Sequence, residues 1–506
     1  MKRFSALLEQ LAVQSREAAR LALLAQYLRD TPDPDRGWAL ALLLGGAVPR
    51  LTTPALLRRL AESRIDAHLF ALSHEHVGDL AETVALIWPE PEPENTWSVS
   101  LPAAVEFLAG LDRRAAPAAL AQWLNHLPVA ERWALLKLAA GRPAPGMSGP
   151  LARQAVAAVA GRPAFEIDEL WQAVAPPYPA LFSWIEGRAE RPRPPAHGFR
   201  APMRAREVRL KELMEFQPEL FRAEWLWTGQ RLLLAAGEQG NALYDSEGED
   251  VSTQFSALLE AAGPNVVLDG VLPAPVDTFG PPGVRDAPVL YLHDILAEAD
   301  EDLRPLSWSA RRQRLEAWYA RVRPAGMALS PRLAFAGWEE LDRRRGAAPP
   351  GAAGIMLKSA ESGYVPGPPD GQWLAWRAEP QRIEVVAMYA RPEEGRNSGI
   401  YADLTVGLWR DGELVPVGRV TAGDDPALGQ SLDDWVRAHV TARHGPVREV
   451  APELVLEVAF DGFVRSRRHK AGLQLVRPGI VRLCPDRAAS AAGRLDALPG
   501  FRESEA

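Results

Sequence analysis

Apolar residues in the first part of the chain recur every three to four positions. This spacing places them on one face of a helix. Examples are Leu7, Leu8 and Leu11, then Leu21, Leu23 and Leu24, and later Leu135, Leu136 and Leu138. Proline-containing turns at 31–35 and 89–93 separate the helical stretches. The pattern therefore predicts an all-α domain over residues 1–187.

The pattern changes after this domain. Residues 188–211 hold eight basic and two acidic side chains, a local balance of 8 − 2 = +6, together with four prolines and one glycine. This composition predicts a basic, proline-rich linker. From 212 to 378, short apolar runs such as 230–235 and 265–268 alternate with an amphipathic stretch at 311–319. They predict an α+β domain.

The last part of the chain, residues 379–506, has a third pattern. Alternating runs at 383–389 and 401–409 predict β-strands. The second run is followed by Asp411-Gly412, a dipeptide that favours a tight hairpin. A small β-barrel fits this pattern best. The predicted fold is therefore multidomain, in the order all-α, α+β and β-barrel.

Composition narrows the classes of function. The chain has 506 residues, enough for about three domains. Its formal net charge is −8, so any attraction to nucleic acid must come from local basic patches. Cys484 is the single cysteine, and no run of about 20 apolar residues suggests a membrane span. We therefore expect a cytoplasmic protein without disulfides or a membrane partner.

The stretch 224–231 contains the most informative motif. It reads Glu-Trp-Leu-Trp-Thr-Gly-Gln-Arg. It resembles motif I of the covalent nucleotidyltransferases, such as the ATP-dependent DNA ligases, in which Lys-x-Asp-Gly-x-Arg often follows Glu-Trp. Leu226 stands at the position of the reactive lysine and Thr228 at that of the aspartate. An alkyl side chain has no lone pair, so Leu226 cannot attack ATP.

The likeness extends over nearly the whole chain. The order of domains resembles the bacterial ATP-dependent DNA ligases that carry an N-terminal DNA-binding domain. This resemblance implies a DNA-binding domain at 1–187, an adenylation domain at 212–378 and an OB-fold at 379–506. The blocks that carry it are 31–37, 64–73, 77–84 and 131–137 in the first domain and 445–448, 452–455 and 468–472 in the last.

The other catalytic motifs that the resemblance implies are also altered. Val271 replaces the acidic residue of motif III, Ala353 replaces the glutamate of motif IV, and Ala375 replaces a lysine of motif V. The aromatic residue that would stack on adenine is replaced by Leu290, unless Tyr291 beside it takes that role. Nucleotidyl transfer needs carboxylates for metal ions and cations for phosphate oxygens. We therefore predict no intact catalytic residue, no metal site and no cofactor.

Basic residues could serve as a substitute nucleophile or as contacts to DNA. The chain has only five lysines, and of these Lys211 lies nearest to Leu226, fifteen positions before it. A rescue by such a lysine would require the acid and the metal ligands to be rebuilt as well. Basic side chains bind DNA phosphates without reading sequence. The candidate DNA contacts are Arg204, Arg206, Arg209, Lys211, Arg231, Lys358, Arg377, Arg467, Arg468 and Lys470.

Three functions remain open. The leading hypothesis is a catalytically inactive homologue of the ligases that binds nicked or broken duplex DNA or scaffolds DNA repair. The resemblance implies a bacterial, nucleoid-associated protein with repair nucleases or helicases as partners. The second hypothesis is an active ligase that uses ATP, Mg²⁺ and an unrecognised nucleophile. The third is a protein–protein interaction module.

Overall fold

The structure is a computed structural model of the whole chain. It describes residues 1–498 except 15, 46–47, 142–145, 238–239, 274–288, 350, 393–399, 424, 446 and 466–469. The chain divides into two compact units, Met1–Pro195 and Ala196–Ala506. Each unit is described by itself below.

The first unit is helical over its described residues, in agreement with the spacing of its apolar side chains. Several of its helices begin at a serine, threonine or aspartate whose side chain accepts a backbone N–H, the usual N-cap arrangement. Helices α1 to α12 are, in order, Lys2–Val13, Glu17–Asp30, Asp35–Leu43, Pro54–Glu62, Ala67–Val77, Leu80–Ile87, Leu101–Ala109, Ala116–Leu124, Val129–Ala139, Gly149–Ala160, Ala164–Leu170 and Pro179–Ile185. Their apolar faces share one hydrophobic core.

The second unit begins with an α+β region, as predicted. Its strands β1 to β11 are Arg206–Glu207, Phe221–Trp227, Gly229–Gly237, Gly240–Asp245, Val266–Pro273, Leu290–Glu298, Glu301–Asp302, Met327–Leu329, Arg332–Leu333, Ala352–Ser359 and Trp373–Arg377. Its helices α13 to α16 are Leu210–Leu213, Ser256–Ala261, Trp308–Val322 and Trp338–Gly346.

These strands form two sheets. The first has the order β1-β11-β10-β2-β9, and the second has the order β4-β3-β5-β6-β7 with β8 added beside β6. Because β2 belongs to the first sheet and β3 to the second, the chain passes between them at Thr228. The motif that resembles a nucleotidyltransferase site therefore lies at the crossing from one sheet to the other.

The second half of the predicted linker is part of this region. Phe199 is buried and packs edge-on against Tyr244. Strand β1 pairs in parallel with β11, with Arg206 opposite Leu374. Residues from about 199 onward are therefore built into the second unit, although their basic composition is typical of a flexible connection.

The end of the chain is mostly β-structure. Strands β12 to β20 are Gln381–Arg391, Asp403–Arg410, Glu413–Thr421, Val440–His444, Val447–Val450, Val455–Phe460, Phe463–Arg465, Leu473–Leu475 and Gly479–Leu483, and helix α17 is Pro426–Ala438. The Asp411-Gly412 hairpin joins β13 to β14, as predicted. The larger sheet has the order β14-β13-β12-β16-β15, and β17 pairs with β12 and β20. Closure into an OB-type barrel stays a prediction.

Within the described part of the chain, no helix combines the length and the apolar character that crossing a membrane requires.

Candidate functional site

The altered motif positions lie on neighbouring strands. Trp227 at the end of β2 is opposite Ala352 on β10, and the Thr228 N–H donates to the Gly351 carbonyl at 2.7 Å. Ala353 follows directly on β10, whereas Val271 on β5 is opposite Arg231 on β3. Thr228, Val271 and Ala353 therefore lie near the crossing between the two sheets. Their side chains are aliphatic or carry a hydroxyl, whereas the resemblance implies acidic groups at these positions.

A buried polar cluster joins the two sheets at this place. We call it the inter-sheet cluster and define it as Glu224, Arg231, Asp269, His293, Arg312, Lys358 and Tyr364. Glu224 and Lys358 come from the first sheet, and Arg231, Asp269 and His293 come from the second.

Lys358 lies at the centre of this cluster with its side chain 1% exposed. Its ammonium group contacts Glu224 Oε2 at 3.1 Å, the His293 carbonyl oxygen at 3.0 Å and His293 Nδ1 at 3.4 Å. The Trp373 ring centroid is 4.4 Å from Nζ. Since an ammonium group has three N–H donors, these three acceptors use all of them. Lys358 can reach a ligand only by giving up one of these contacts.

Glu224 is held by a second cation. Arg312 donates from Nη1 to Glu224 Oε1 at 2.9 Å and from Nη2 to the Ser330 carbonyl at 3.0 Å. Its Nε donates to Glu316 at 2.8 Å. Both oxygens of the Glu224 carboxylate are therefore bound to protein cations, which balances a charge that burial alone would make costly.

Arg231, the last residue of the motif, makes a two-point ion pair with Asp269. Nε contacts Oδ1 at 3.0 Å and Nη2 contacts Oδ2 at 2.6 Å. Nη1 donates to the Met203 carbonyl at 2.7 Å. Asp269 also accepts the Tyr364 hydroxyl at 2.7 Å and lies 3.3 Å from His293 Nε2. Both oxygens of the Asp269 carboxylate are therefore bound within the protein, whereas the Arg231 side chain remains 24% exposed.

Burial and neighbouring charges shift the pKa values of Asp269, Lys358 and His293 in this cluster. Burial raises the pKa of Asp269, but the charge of Arg231 and the hydrogen bonds from Arg231 and Tyr364 outweigh it and leave that pKa far below its usual value. Burial lowers the pKa of Lys358, and Glu224 opposes this shift. Burial also lowers the pKa of His293 well below its usual value, against the opposing effect of Asp269. His293 is therefore neutral, with Nε2–H directed to Asp269 and Nδ1 accepting from Lys358.

The neutral state of His293 predicts a pH dependence of stability. The unfolded imidazole binds a proton below about pH 6.5, whereas the folded one does not, so stability is complete above that pH and falls as the pH decreases. The slope is about 1.4 kcal/mol per pH unit while the folded His293 stays neutral. We expect His293→Gln to reduce the slope of the urea unfolding free energy between pH 6.5 and 5 by this amount. An unchanged slope would show that His293 is charged in the folded protein.

Tyr291 is an aromatic residue at the crossing between the two sheets. Leu290 is fully buried in the core of the second sheet, whereas Tyr291 stacks on Trp227. Of the two residues that the sequence left open for the stacking position, Leu290 faces the core and Tyr291 faces the inter-sheet crossing. Tyr291 is the ring that the fold presents at the inter-sheet crossing.

The candidate DNA contacts fall into different environments. Arg204, Arg209 and Lys211 are exposed near β1 and α13. Lys358 is buried, so in this conformation it cannot touch a DNA backbone, and Arg231 is bound to Asp269. The residues with surface ion-pair partners are Arg206 with Glu212, Arg377 with Glu207 and Lys470 with Glu413. Arg467 and Arg468 lie outside the described residues.

Sequence reasoning missed several members of this site. Arg312 and His293 belong to the inter-sheet cluster, and Asp294 makes a buried ion pair with Arg311 beside it. One indication was present in the sequence. His293 and Asp294 interrupt the apolar strand 290–297, and polar residues in a buried strand need partners elsewhere in the fold.

The carboxylates and imidazoles do not form a metal-binding group. Among the described residues, no three or more histidine, cysteine, aspartate or glutamate side chains come together in a way that could hold a metal ion. In the inter-sheet cluster, the acidic groups instead face arginine or lysine.

Comparisons with known proteins show what this chain is similar to. A probable DNA ligase from Koribacter versatilis is 34% identical over 171 residues, which cover 33% of this chain and 30% of that protein. A DNA ligase from Halorubrum lacusprofundi is 28% identical over 290 residues, which cover 52% of this chain and 48% of that protein. The chain thus matches less than half of the length of these two relatives.

A solved structure gives the overall fold. The protein named Pmar-Lig_Pre has a TM-score of 0.52 and 14% identity, with 95% of this chain and 98% of that chain covered. At this identity the likeness shows the fold alone. No model of a known protein family matches the chain.

Proposed function

Since this chain is a member of the ATP-dependent DNA ligase family, we propose that it is a catalytically inactive one that binds nicked or broken duplex DNA or scaffolds its repair. Nucleotidyl transfer needs a nucleophile with an available lone pair. The observation that carries the proposal is that Leu226 occupies the lysine position. Lys358, which lies opposite Arg222 on the neighbouring strand, donates to Glu224 and to the His293 carbonyl and also contacts His293 Nδ1.

The environment of Lys358 argues against a substitute nucleophile there. A lowered pKa favours a neutral and reactive amine in a lysine that a substrate can reach. Lys358 is 1% exposed and lies between Glu224 and His293. Its deprotonation would also leave Glu224 with Arg312 as its remaining cation in the cluster. These contacts support a structural role for the amine.

Charge compensation also argues against ATP binding. Phosphate oxygens bind to cations that have free donors. Lys358 and most of the Arg231 N–H groups donate to Asp269, Glu224 and neighbouring oxygen atoms. A triphosphate would have to compete with these buried carboxylates for the two cations. We infer that the pocket has been converted from a ligand site into an internally paired core.

DNA binding is proposed for the surface near β1. Arg204, Arg209 and Lys211 lie within eight residues and are exposed. Because the chain has a net charge of −8, attraction to a phosphate backbone depends on such a local group. Contacts of this kind bind duplex DNA without sequence preference and weaken with salt.

The expected result of a salt titration follows from counterion release. Gel shift on a nicked duplex should show binding whose logarithm falls linearly with the logarithm of the salt concentration. Replacing Arg204, Arg209 and Lys211 together with serine should reduce the magnitude of that slope by about 2 to 3, since each phosphate contact contributes about 0.9. The matched control replaces Arg343, Arg391 and Arg443, which are also exposed in the second unit.

Two outcomes would change the proposal. No binding of the nicked duplex at low salt would remove DNA as the partner and favour a protein–protein interaction module. Sealing of the nick with consumption of ATP would show that the chain is an active ligase with an unrecognised nucleophile. A sealing-competent relative serves as the positive control in the same assay.

A further inference from the structure

Strand β15 lies at one edge of the larger sheet in the last part of the chain. Among the described residues it pairs with β16 alone, and it ends the order β14-β13-β12-β16-β15. Its residues Thr441, Arg443 and His444 are exposed. An edge strand presents a row of backbone N–H and C=O groups with which another strand can pair. The backbone of β15 is therefore able to accept an extended peptide as an additional strand.

Two arginines lie directly opposite each other at this edge. Arg443 on β15 is opposite Arg448 on β16, and Arg448 is in turn opposite Ala390 on β12. Like charges directly opposite in neighbouring strands destabilise a sheet. The ion pair between His444 and Glu449 lies on the other face, because these residues follow Arg443 and Arg448 in their strands and successive side chains point to opposite faces.

Arg448 is held in place by its surroundings, whereas Arg443 is not. The Arg448 Nη1 donates to the Gly445 carbonyl at 2.7 Å and to the Val447 carbonyl at 3.3 Å. Its guanidinium carbon is 5.2 Å from the centroid of the Tyr401 ring, a cation–π distance. Arg443 is exposed, and its side chain makes no hydrogen bond or ion pair with the residues that the structure describes. Arg443 is therefore the cation that an added partner can reach.

From this juxtaposition we propose that the β15 edge binds an extended acidic peptide of a partner protein. The peptide backbone pairs with β15, and a glutamate or aspartate opposite Arg443 supplies a negative charge beside the two arginines. The inference goes beyond the proposed function and does not rest on it, because β15 is separate from the surface of Arg204, Arg209 and Lys211 near β1.

Two other occupants fit this edge less well. A second copy of this chain would bring another Arg443 to the edge, and the like charges would repel. A DNA backbone has no N–H groups with which to extend a sheet. It would also meet Asp433 of α17, which accepts the Tyr401 N–H at 2.8 Å beside Arg448. An acidic peptide uses both the strand edge and the unpaired arginine.

The test is fluorescence anisotropy of the whole chain with labelled peptides of about six residues, the usual length of a strand. The first peptide alternates threonine with glutamate, and the second alternates threonine with lysine. The third keeps the glutamates and has proline in place of threonine. We expect the first alone to bind, because the second places like charges opposite Arg443 and the third cannot donate to a strand edge. Equal binding of the second or third, or no binding of the first at about 1 mM, would overturn the inference.

A charge reversal locates the binding. Arg443→Glu should weaken binding of the first peptide by about tenfold, because an opposite-charge pair becomes a like-charge pair. Arg391→Glu is the matched control, since it makes the same change of net charge at another exposed arginine. Arg391 follows Ala390 on β12, so its side chain lies on the opposite face from that of Arg448. An equal loss in the two variants would mean that net charge alone explains the effect, and the inference would fail.

Gel shift on the nicked duplex separates this inference from the proposed function. Arg443→Glu should leave binding of the duplex unchanged, and the duplex should not displace the first peptide. Displacement, together with weaker binding of the duplex by Arg443→Glu, would assign the edge to DNA and overturn this inference alone. A chain that binds the first peptide but no duplex would overturn DNA binding and leave the peptide site standing.

Discussion

Replacing Asp294 with asparagine should destabilise the second unit by about 3 to 5 kcal/mol. Asp294 on β6 and Arg311 on α15 form a two-point ion pair, with N–O distances of 2.9 and 3.0 Å and side chains 1% and 0% exposed. Asparagine keeps the shape but removes the charge. The guanidinium of Arg311 then stays buried without a counterion, which is the costly state for a paired group.

Urea denaturation followed by circular dichroism measures this loss, since the midpoint falls in proportion to the free energy. The double variant Asp294→Leu with Arg311→Met should recover most of the stability, because it removes both charges and keeps apolar volume. Glu413→Gln, which breaks the exposed pair with Lys470, is the surface control and should not move the midpoint. A midpoint in Asp294→Asn equal to that of the unaltered chain would show that the pair is not buried as described.

Gly354→Ala should lower the free energy of unfolding nearly as much as Asp294→Asn does, for a reason that does not involve charge. Gly354 lies on β10 at φ +144°, and a Cβ there would be 2.3 Å from the Trp376 carbonyl oxygen and 2.6 Å from the Arg377 Cα. Both atoms belong to the backbone of β11 and cannot rotate away. Strained φ values cost about 1 to 3 kcal/mol and overpacking a similar amount, so we expect a loss of about 2 to 5 kcal/mol.

Gly240→Ala separates the two contributions. Gly240 lies at φ +121° at the start of β4, and no atom of the residues that the structure describes lies within 4 Å of its Cβ position. It carries the backbone strain without the contact. We expect its urea midpoint to fall less than that of Gly354→Ala. Equal losses would mean that strain alone explains Gly354, and that the close approach of β10 to β11 has no energetic role.

Contacts within the fold explain why Gly354 and Asp269 match the ligase motifs although the residues for nucleotidyl transfer do not. Gly354 is retained beside Ala353 because the paired strands leave no room for a side chain. Asp269 is retained because it binds Arg231 and Tyr364. We therefore expect both residues to stabilise the fold, which also accommodates leucine at position 226.

Much of the fold could be predicted from local patterns. The helical spacing of leucines predicted the first unit, and the Asp411-Gly412 dipeptide predicted a hairpin that the structure contains. Both features depend on residues close together in the chain. The linker was predicted less well, because burial of Phe199 depends on its contact with Tyr244 and is not visible in a basic, proline-rich composition.

The site could be predicted only in part. The leucine at position 226, where the resemblance implies a lysine, can be read directly from the sequence. The hydrogen bonds of Lys358 could not be predicted from the sequence. Its partner Glu224 is 134 positions away, and the contact exists only once β2 and β10 pair. The register of Leu290 and Tyr291 could not be settled either, since a shift of one residue in a strand moves a side chain to the opposite face.

We propose that the inter-sheet cluster forms no covalent bond to a nucleotide. The direct test is incubation of the intact chain with Mg²⁺ and ATP labelled at the α-phosphate, followed by acid precipitation. A sealing-competent relative acts as the positive control, and a heat-denatured sample sets the background. We expect no acid-stable label above that background. An acid-stable label on Lys358, Lys211 or any other residue would contradict it.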